Sequence, residues 1–558
     1  MKKTNPTLKL LAVLLLASAG VTTHAANIVK TNNATALNAG GSWVGGVVPK
    51  AADVAIFDNT LNGSFSSYAI GGNVTNNGIS FRDAASVQTI TATASSSLIF
   101  ANGSAGIDMT SAAVNDFNIA CLVNLGTSGG QTFNVFDSAR TLTMSGVISG
   151  TGPITKTGNG TLKLSASHTY TGGTIISGGT LQLGSHNTLG AGNVTVQSGA
   201  TLDLNGFGLT NKVGGFVIHI AGTGVGGNGA LVDNGGSQLN FALTNLILDA
   251  DATVGGSVRF DMRPVTASAL PPSMDLAGHT LTKTGASTFF LQQLSSVTDG
   301  NIIIQSGTLG VNGISLTGSG KSLTVNSGGT FLLFRNAAVN TVSTITCPIT
   351  LNDGSTVSYT GTDTADAIDQ SVGSAISLSG NVTNNGTAIN AVFELAGPIS
   401  GSGSLTKIGA GTLLLSGASS YSGATTVTAG TATLGSAWSS SGDVTVSDSA
   451  SIGFKPATHN AVVNLSSLTL GSAGNTTANF DMGGFANPSG TVANITNALT
   501  LNGTTTVNLA NTTGLTSGTF KLITFGSIAG SGGFAVGVSP GFTATLATNG
   551  NSIEITLQ

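Results

Sequence analysis

The densest charge in this 558-residue chain lies in "LDADATVGGSVRFDMR", which brings Asp249, Asp251, Arg259, Asp261 and Arg263 close together. Carboxylates beside arginines are the raw material of polysaccharide cleavage. A lyase needs a base and often Ca²⁺ held by several carboxylates, and a glycosidase usually needs a carboxylate pair across a groove. On one strand Asp249 and Asp251 share a face. The same residue types also make a solvated strand face with turn aspartates, and this is the preferred reading. "TDTADAID" spaces Asp363, Asp366 and Asp369 by three residues but lacks the ligand pattern and closing Glu of an EF-hand. These read as loop carboxylates.

"GTGVGGNG", Gly222 to Gly229, contains G-x-G-x-x-G, yet "ALVDNGGSQLNF" after it offers no helix to receive a pyrophosphate, so it reads as a glycine-rich corner. His168, His186, His219, His279 and His459 stand singly, without zinc spacing. No G-x-S-x-G elbow occurs. The sequence therefore nominates no catalytic residue, no cofactor and no metal ligand. Cys121 and Cys347 are the only cysteines and are expected to be buried separately.

Whatever positions these residues must be built from short strands. "TLKL" at Thr161, "TLQL" at Thr180 and "TLDL" at Thr201 each put two leucines on one face and a polar residue on the other. The beat returns as "TLLL" at Thr412, "TATL" at Thr431 and "SIGF" at Ser451. A unit of about 20 residues cannot bury its leucine face alone, but stacked units can, each strand pairing in parallel with its equivalent in the next coil. The expected fold is all-β, a right-handed parallel β-helix (β-solenoid) with short coils of about 20 residues and glycine or asparagine at corners. Lys156, Lys283 and Lys407 recur at one repeat position and read as the solvent-facing side of a strand end, able to line up as a surface feature. Tyr170 and Tyr421 read as corner-packing aromatics.

Composition agrees. Charged residues are 7%, glycines number 81, and helix-favouring runs are nearly absent. Low charge with ample apolar residues argues for an ordered chain with a continuous core. The formal net charge is −4, without a basic cluster, which argues against nucleic acid as a partner. "MKKTNPTLKLLAVLLLASAGVTTHAAN" has the basic start, apolar run and small-residue exit of a signal peptide, residues 1–25, and no later stretch is long and apolar enough for a transmembrane helix.

Gly146, Ile148, Ser149, Gly150, Gly152, Thr155, Lys156, Gly158, Gly160, Thr161, Leu162 and Leu164 set out a pattern repeated between Gly397 and Leu415, with Tyr170 and Tyr421 following. It resembles the autotransporter-associated β-strand repeat, also called the passenger-associated transport repeat. "GSWVGGVVPKAADVAIFD", with Trp43, Asp53 and Phe57, resembles the opening of such exported proteins and reads as a structural cap. The resemblance implies a secreted or cell-surface passenger-like protein, outside the outer membrane of a Gram-negative-type bacterium, whose repeats assist export or folding. The chain lacks a recognisable translocator barrel, so separate export machinery at the outer membrane is expected.

The expected organisation is a signal peptide at 1–25, an N-terminal cap and first coils at 26–143, and a first repeat at 144–215. A β-solenoid at 216–394 follows, with a loop excursion near 263–273 and a weak repeat copy at 276–311. A second repeat at 395–455 and C-terminal coils and cap at 456–558 complete it. The expected function is a non-enzymatic structural or adhesive role with glycans or cell-surface components as partners. The alternatives are a carbohydrate-active β-helix enzyme acting near Asp249 to Arg263, and a transport scaffold without a ligand.

Overall fold

The strand Thr161–Leu164 turns Leu162 and Leu164 inward and leaves Thr161 and Lys163 half-buried on the other side. Its backbone groups are met by neighbouring coils. Leu162 stands in register with Leu181, Leu181 with Leu202, Leu202 with Leu231, and Leu231 with Val254. Each leucine so covered contributes about 1.5–3 kcal/mol of apolar burial, and every strand N–H and C=O between stacked coils finds a partner. The chain is an all-β parallel β-solenoid. Strand Ser552–Leu557 departs from the pattern, running antiparallel to both Gly518–Ala529 and Ala544–Asn549.

The computed structural model describes residues 25–92, 95–101, 104–127, 129–209, 216–264, 270–318, 320–335, 342–361, 368–388 and 391–558. The signal peptide expected at 1–25 lies, except for Ala25, outside the described residues, as does the middle of the excursion expected near 263–273.

A coil has three sides. One stack runs from Ile154–Thr157 through Thr174–Ile176, Val194–Val196 and Ile218–Gly222. A second runs from Thr161–Leu164 to Thr280–Lys283. A third, in another sheet, runs from Leu239–Leu243 through Thr288–Gln292 to Thr491–Leu501. Coil length is near 20 residues in the two repeats and longer elsewhere: 19 residues separate Thr161 from its partner Thr180, but 31 separate Leu468 from Leu499. The extra residues leave at corners, so the inward rows stay aligned.

Near the start of the described chain Trp43 is buried edge-on to Phe57 with centroids 6.2 Å apart, and Phe57 packs on Phe81 at 5.3 Å. The Trp43 Nε1–H donates to the Leu37 carbonyl at 2.7 Å. Asp53 accepts from the Ala26 and Lys50 amides at 3.0 and 2.9 Å, closing a turn.

Two glycines at one motif position show how closely coils approach. A Cβ on Gly146 would stand 1.8 Å from the Cys121 carbonyl oxygen, and one on Gly397 would stand 1.8 Å from that of Ser374. No side chain fits without parting the coils. Gly146→Ala and Gly397→Ala are therefore each expected to destabilise the fold by about 1–3 kcal/mol through overpacking. Thermal denaturation should reveal a lowered midpoint for both, against no change for Gly199→Ser, where a Cβ would meet nothing within 4 Å but the positive φ of 85° imposes only local strain.

Candidate binding surface

The coil path splits the acidic cluster. Asp249 and Asp251 lie on strand Asn245–Gly256, whereas Asp261 lies on Phe260–Met262 in a different sheet. Asp249 Oδ1 is 2.9 Å from His219 Nδ1, supplied by the preceding coil. Asp251 Oδ1 accepts the Thr280 amide at 2.8 Å and stands 3.9 Å from His279 Nδ1 in the following coil. Asp261 is fully buried and held by Arg259 through two bonds of 2.8 and 2.9 Å. Burial raises the Asp261 pKa, opposed by Arg259. Arg259 lies over the Phe290 ring and Arg263 over Phe241.

The two histidines, single in sequence, thus gain carboxylate neighbours one coil away. The spacing of 30 residues between His219 and Asp249 is a coil length, and only the coil path makes it meaningful.

Asp363, Asp366 and the Asp369 side chain lie outside the described residues. Gly222 to Gly229 form a corner with φ positive at Gly224 and Gly226, and the strand Leu231–Asp233 follows it. Cys121 and Cys347 are free and buried, and burial pushes the Cys121 thiol up to about 12. Among the described residues no group of His, Cys, Asp and Glu could hold a metal ion. Tyr170 and Tyr421 are fully buried, their hydroxyls 2.6 and 2.5 Å from Thr174 Oγ1 and Thr425 Oγ1.

The repeated lysines overturn the expectation of solvent-facing strand ends. Lys156, Lys283 and Lys407 are each 0% exposed. Lys156 stands between Phe133 and Ile176 in an inward row, and Lys283 between Val254 and Ile304. Each butyl chain fills an aliphatic position while the ammonium bends into the corner. Lys156 Nζ donates to the carbonyls of Thr157, Gly158 and Gly178 at 2.6, 2.9 and 3.1 Å. Lys407 repeats this with Ile408, Gly409 and Ala429 at 2.7, 2.7 and 3.2 Å. Lys283 does so with Thr284, Gly285 and Ser306 at 2.6, 3.1 and 3.4 Å.

Two acceptors come from the lysine's own corner and the third from the corner of the next coil. Gly158 and Gly409 adopt φ of 73° and 75°, which turns their carbonyls toward the ammonium. Nor do the three lysines line up. Lys156 belongs to the first stack, Lys283 to the second and Lys407 to the third.

Outward, one row stands apart. Thr288 pairs with Thr308, which leads to Thr330 and Thr356. The row continues through Thr383, Thr406, Thr426 and Thr445 to Thr469 and Thr500. All are half-buried except Thr445, which is exposed. Other outward rows change type within a few coils, as in Thr143, Lys163, Gln182 and Asp203. Elsewhere stacked polar side chains bond one another: Asn134 to Asp108 at 2.6 Å, Asn352 to Asn326 at 2.6 Å, Asn508 to Asn479 at 3.0 Å. Among the described residues, no side-chain hydrogen bond engages a hydroxyl of the threonine row.

A family model of the passenger-associated-transport-repeat matches residues 154–183 and 405–431. The adhesin BmaC autotransporter of Brucella suis biovar 1 is 38% identical over 120 residues, 21% of this chain and 3% of that protein. The crystal structure of the Haemophilus influenzae Hap adhesin aligns with a TM-score of 0.28 at 11% identity, covering 91% of this chain and 63% of that one. The chain thus spans a small part of the curated relative's length. Each matched repeat segment contains both the lysine and the next-coil carbonyl that completes its coordination, at Gly178 and Ala429.

Burial pulls the Lys156 ammonium down to about 7, and Lys283 and Lys407 to about 8, from 10.5. Between those values and 10.5 the unfolded chain binds more protons than the folded one, so stability rises with pH across that window. The thermal midpoint is expected to climb from pH 6.5 to pH 9.5. Lys156→Met should flatten the climb, and an unchanged slope in that variant would contradict the burial of a charged lysine.

Proposed function

We propose that this chain, which carries two passenger-associated transport repeats in a parallel β-solenoid, is an exported, non-enzymatic rod. It acts at the bacterial surface or in the surrounding medium, and its repeats assist export or folding outside the cell. Its long sides make many weak contacts with glycans or other cell-surface components. Both relatives described above are named as adhesins, and the proposal extends that role here.

The observation that carries the reading is the disposition of polar chemistry. The carboxylates that would serve cleavage are dispersed, with Asp249 and Asp251 each turned toward a different coil and Asp261 closed under Arg259 on another side. Uncharged hydroxyl and amide side chains instead run in rows along the stack. Rows favour polyvalency: a weak contact repeated at a fixed spacing raises the effective concentration of the next.

The test is to incubate the purified secreted chain with soluble and insoluble polysaccharides, scoring co-sedimentation and the release of reducing or unsaturated ends. Retention without release is expected, and the double variant Asp249→Ala/Asp251→Ala should be retained equally. Release that this variant abolishes would establish the enzymatic alternative.

A further inference from the structure

We infer that the row from Thr288 to Thr500 is the ligand-bearing side of the rod, and that its ligand is an extended, uncharged, linear β-linked polysaccharide lying along the solenoid axis. The inference rests on the glycan-binding reading above and names its site and ligand class.

Four observations carry it. The row is unbroken over ten successive register positions, although the intervening chain varies from 19 residues between Thr426 and Thr445 to 31 between Thr469 and Thr500. Strand propensity alone does not explain such uniformity, because valine and isoleucine serve a strand as well as threonine. The hydroxyls are uncommitted, whereas polar rows elsewhere satisfy one another. And of the two charged residues on the ten strands, Lys407 points inward and Arg335 stands at a strand end. A neutral side offers nothing to a polyanion or polycation and imposes no charge penalty on a neutral chain.

Geometry selects an extended polymer. Parallel coils stack at about 4.8 Å, so the row presents one hydroxyl and one methyl per step over roughly 40 Å. A 1,4-linked pyranose unit has nearly that length. A sugar chain laid parallel to the axis therefore meets a fresh threonine with each residue, its ring C–H groups on the methyl and its hydroxyls on Oγ1. Each contact is weak and the sum depends on ligand length.

The experiment compares the full secreted chain with two triple variants. Thr356→Val/Thr406→Val/Thr445→Val removes three hydroxyls from the row while keeping shape and strand preference. Thr132→Val/Thr155→Val/Thr195→Val does the same on another side. The probes are insoluble β-1,4-glucan, a β-1,4-linked N-acetylglucosamine polymer and a polyuronate, with thermal melts confirming that all chains fold. The expected result is retention of the wild type on the two neutral polymers, a loss of at least about tenfold for the first variant, and none for the second. Longer soluble oligosaccharides should compete better than dimers.

Equal retention of both variants overturns the site while leaving glycan binding intact. Retention on the polyuronate alone overturns the ligand class. No retention of the wild type on any polymer defeats the underlying reading and this one together. Loss of self-association by the first variant, without wild-type retention on polymer, assigns the row to a second copy of the chain instead.

Discussion

Every strand in this rod depends on its neighbours one coil away for its backbone hydrogen bonds, and that single constraint organises the rest. It makes the row, rather than the residue, the unit that must be chemically consistent. Inward rows are aliphatic or aromatic because a polar atom there would be stacked between others and cut off from water. Outward rows either pair their amides and hydroxyls along the axis or leave them to solvent. Variation in coil length is tolerated because loops leave at corners, where the pairing is not disturbed.

The buried lysines are the exception that exposes the rule. An isolated ammonium in such a stack would be expelled or neutralised. Here each has three carbonyls aimed at it, matching its three N–H donors. The third comes from the following coil, so the cation ties two corners together and fixes their register. A buried charge is a poor source of net stability but an effective device for specifying one arrangement over others. A hydrophobe in the same place would fill the volume and leave three carbonyls unsatisfied.

Much of this was legible in the sequence. The "TLKL" beats identified strands, their inward leucines and a stack of short coils, and the repeat motif pointed to its family. The lysines were misread because lysine is usually exposed, yet the signal was present: Lys156 shares the parity of Ile154, and Lys407 that of Leu405, and both those residues are buried. Parity along a strand should have outweighed residue type. The pairing of His219 with Asp249 was hidden because it joins residues 30 apart. The threonine row was hidden for a related reason: its spacing is irregular in sequence and regular only in register. Repeats are visible to sequence comparison, but their invariant residues point inward, so they describe how coils lock and say little about what the outside touches.

The lysine motif closes three different corners of the prism in its three occurrences. It is therefore defined by its own turn and the next, without reference to any global face. A gene segment encoding such a unit can be duplicated or inserted where the reading frame permits, and the product remains buildable even if the addition is not a whole number of circuits. An insertion of that kind would rotate everything downstream by a third of a revolution about the axis. In such a lineage the rod could gain or lose length while the azimuth of its contact stripes drifted, and relatives sharing the same repeats would present different stripes to the same surroundings.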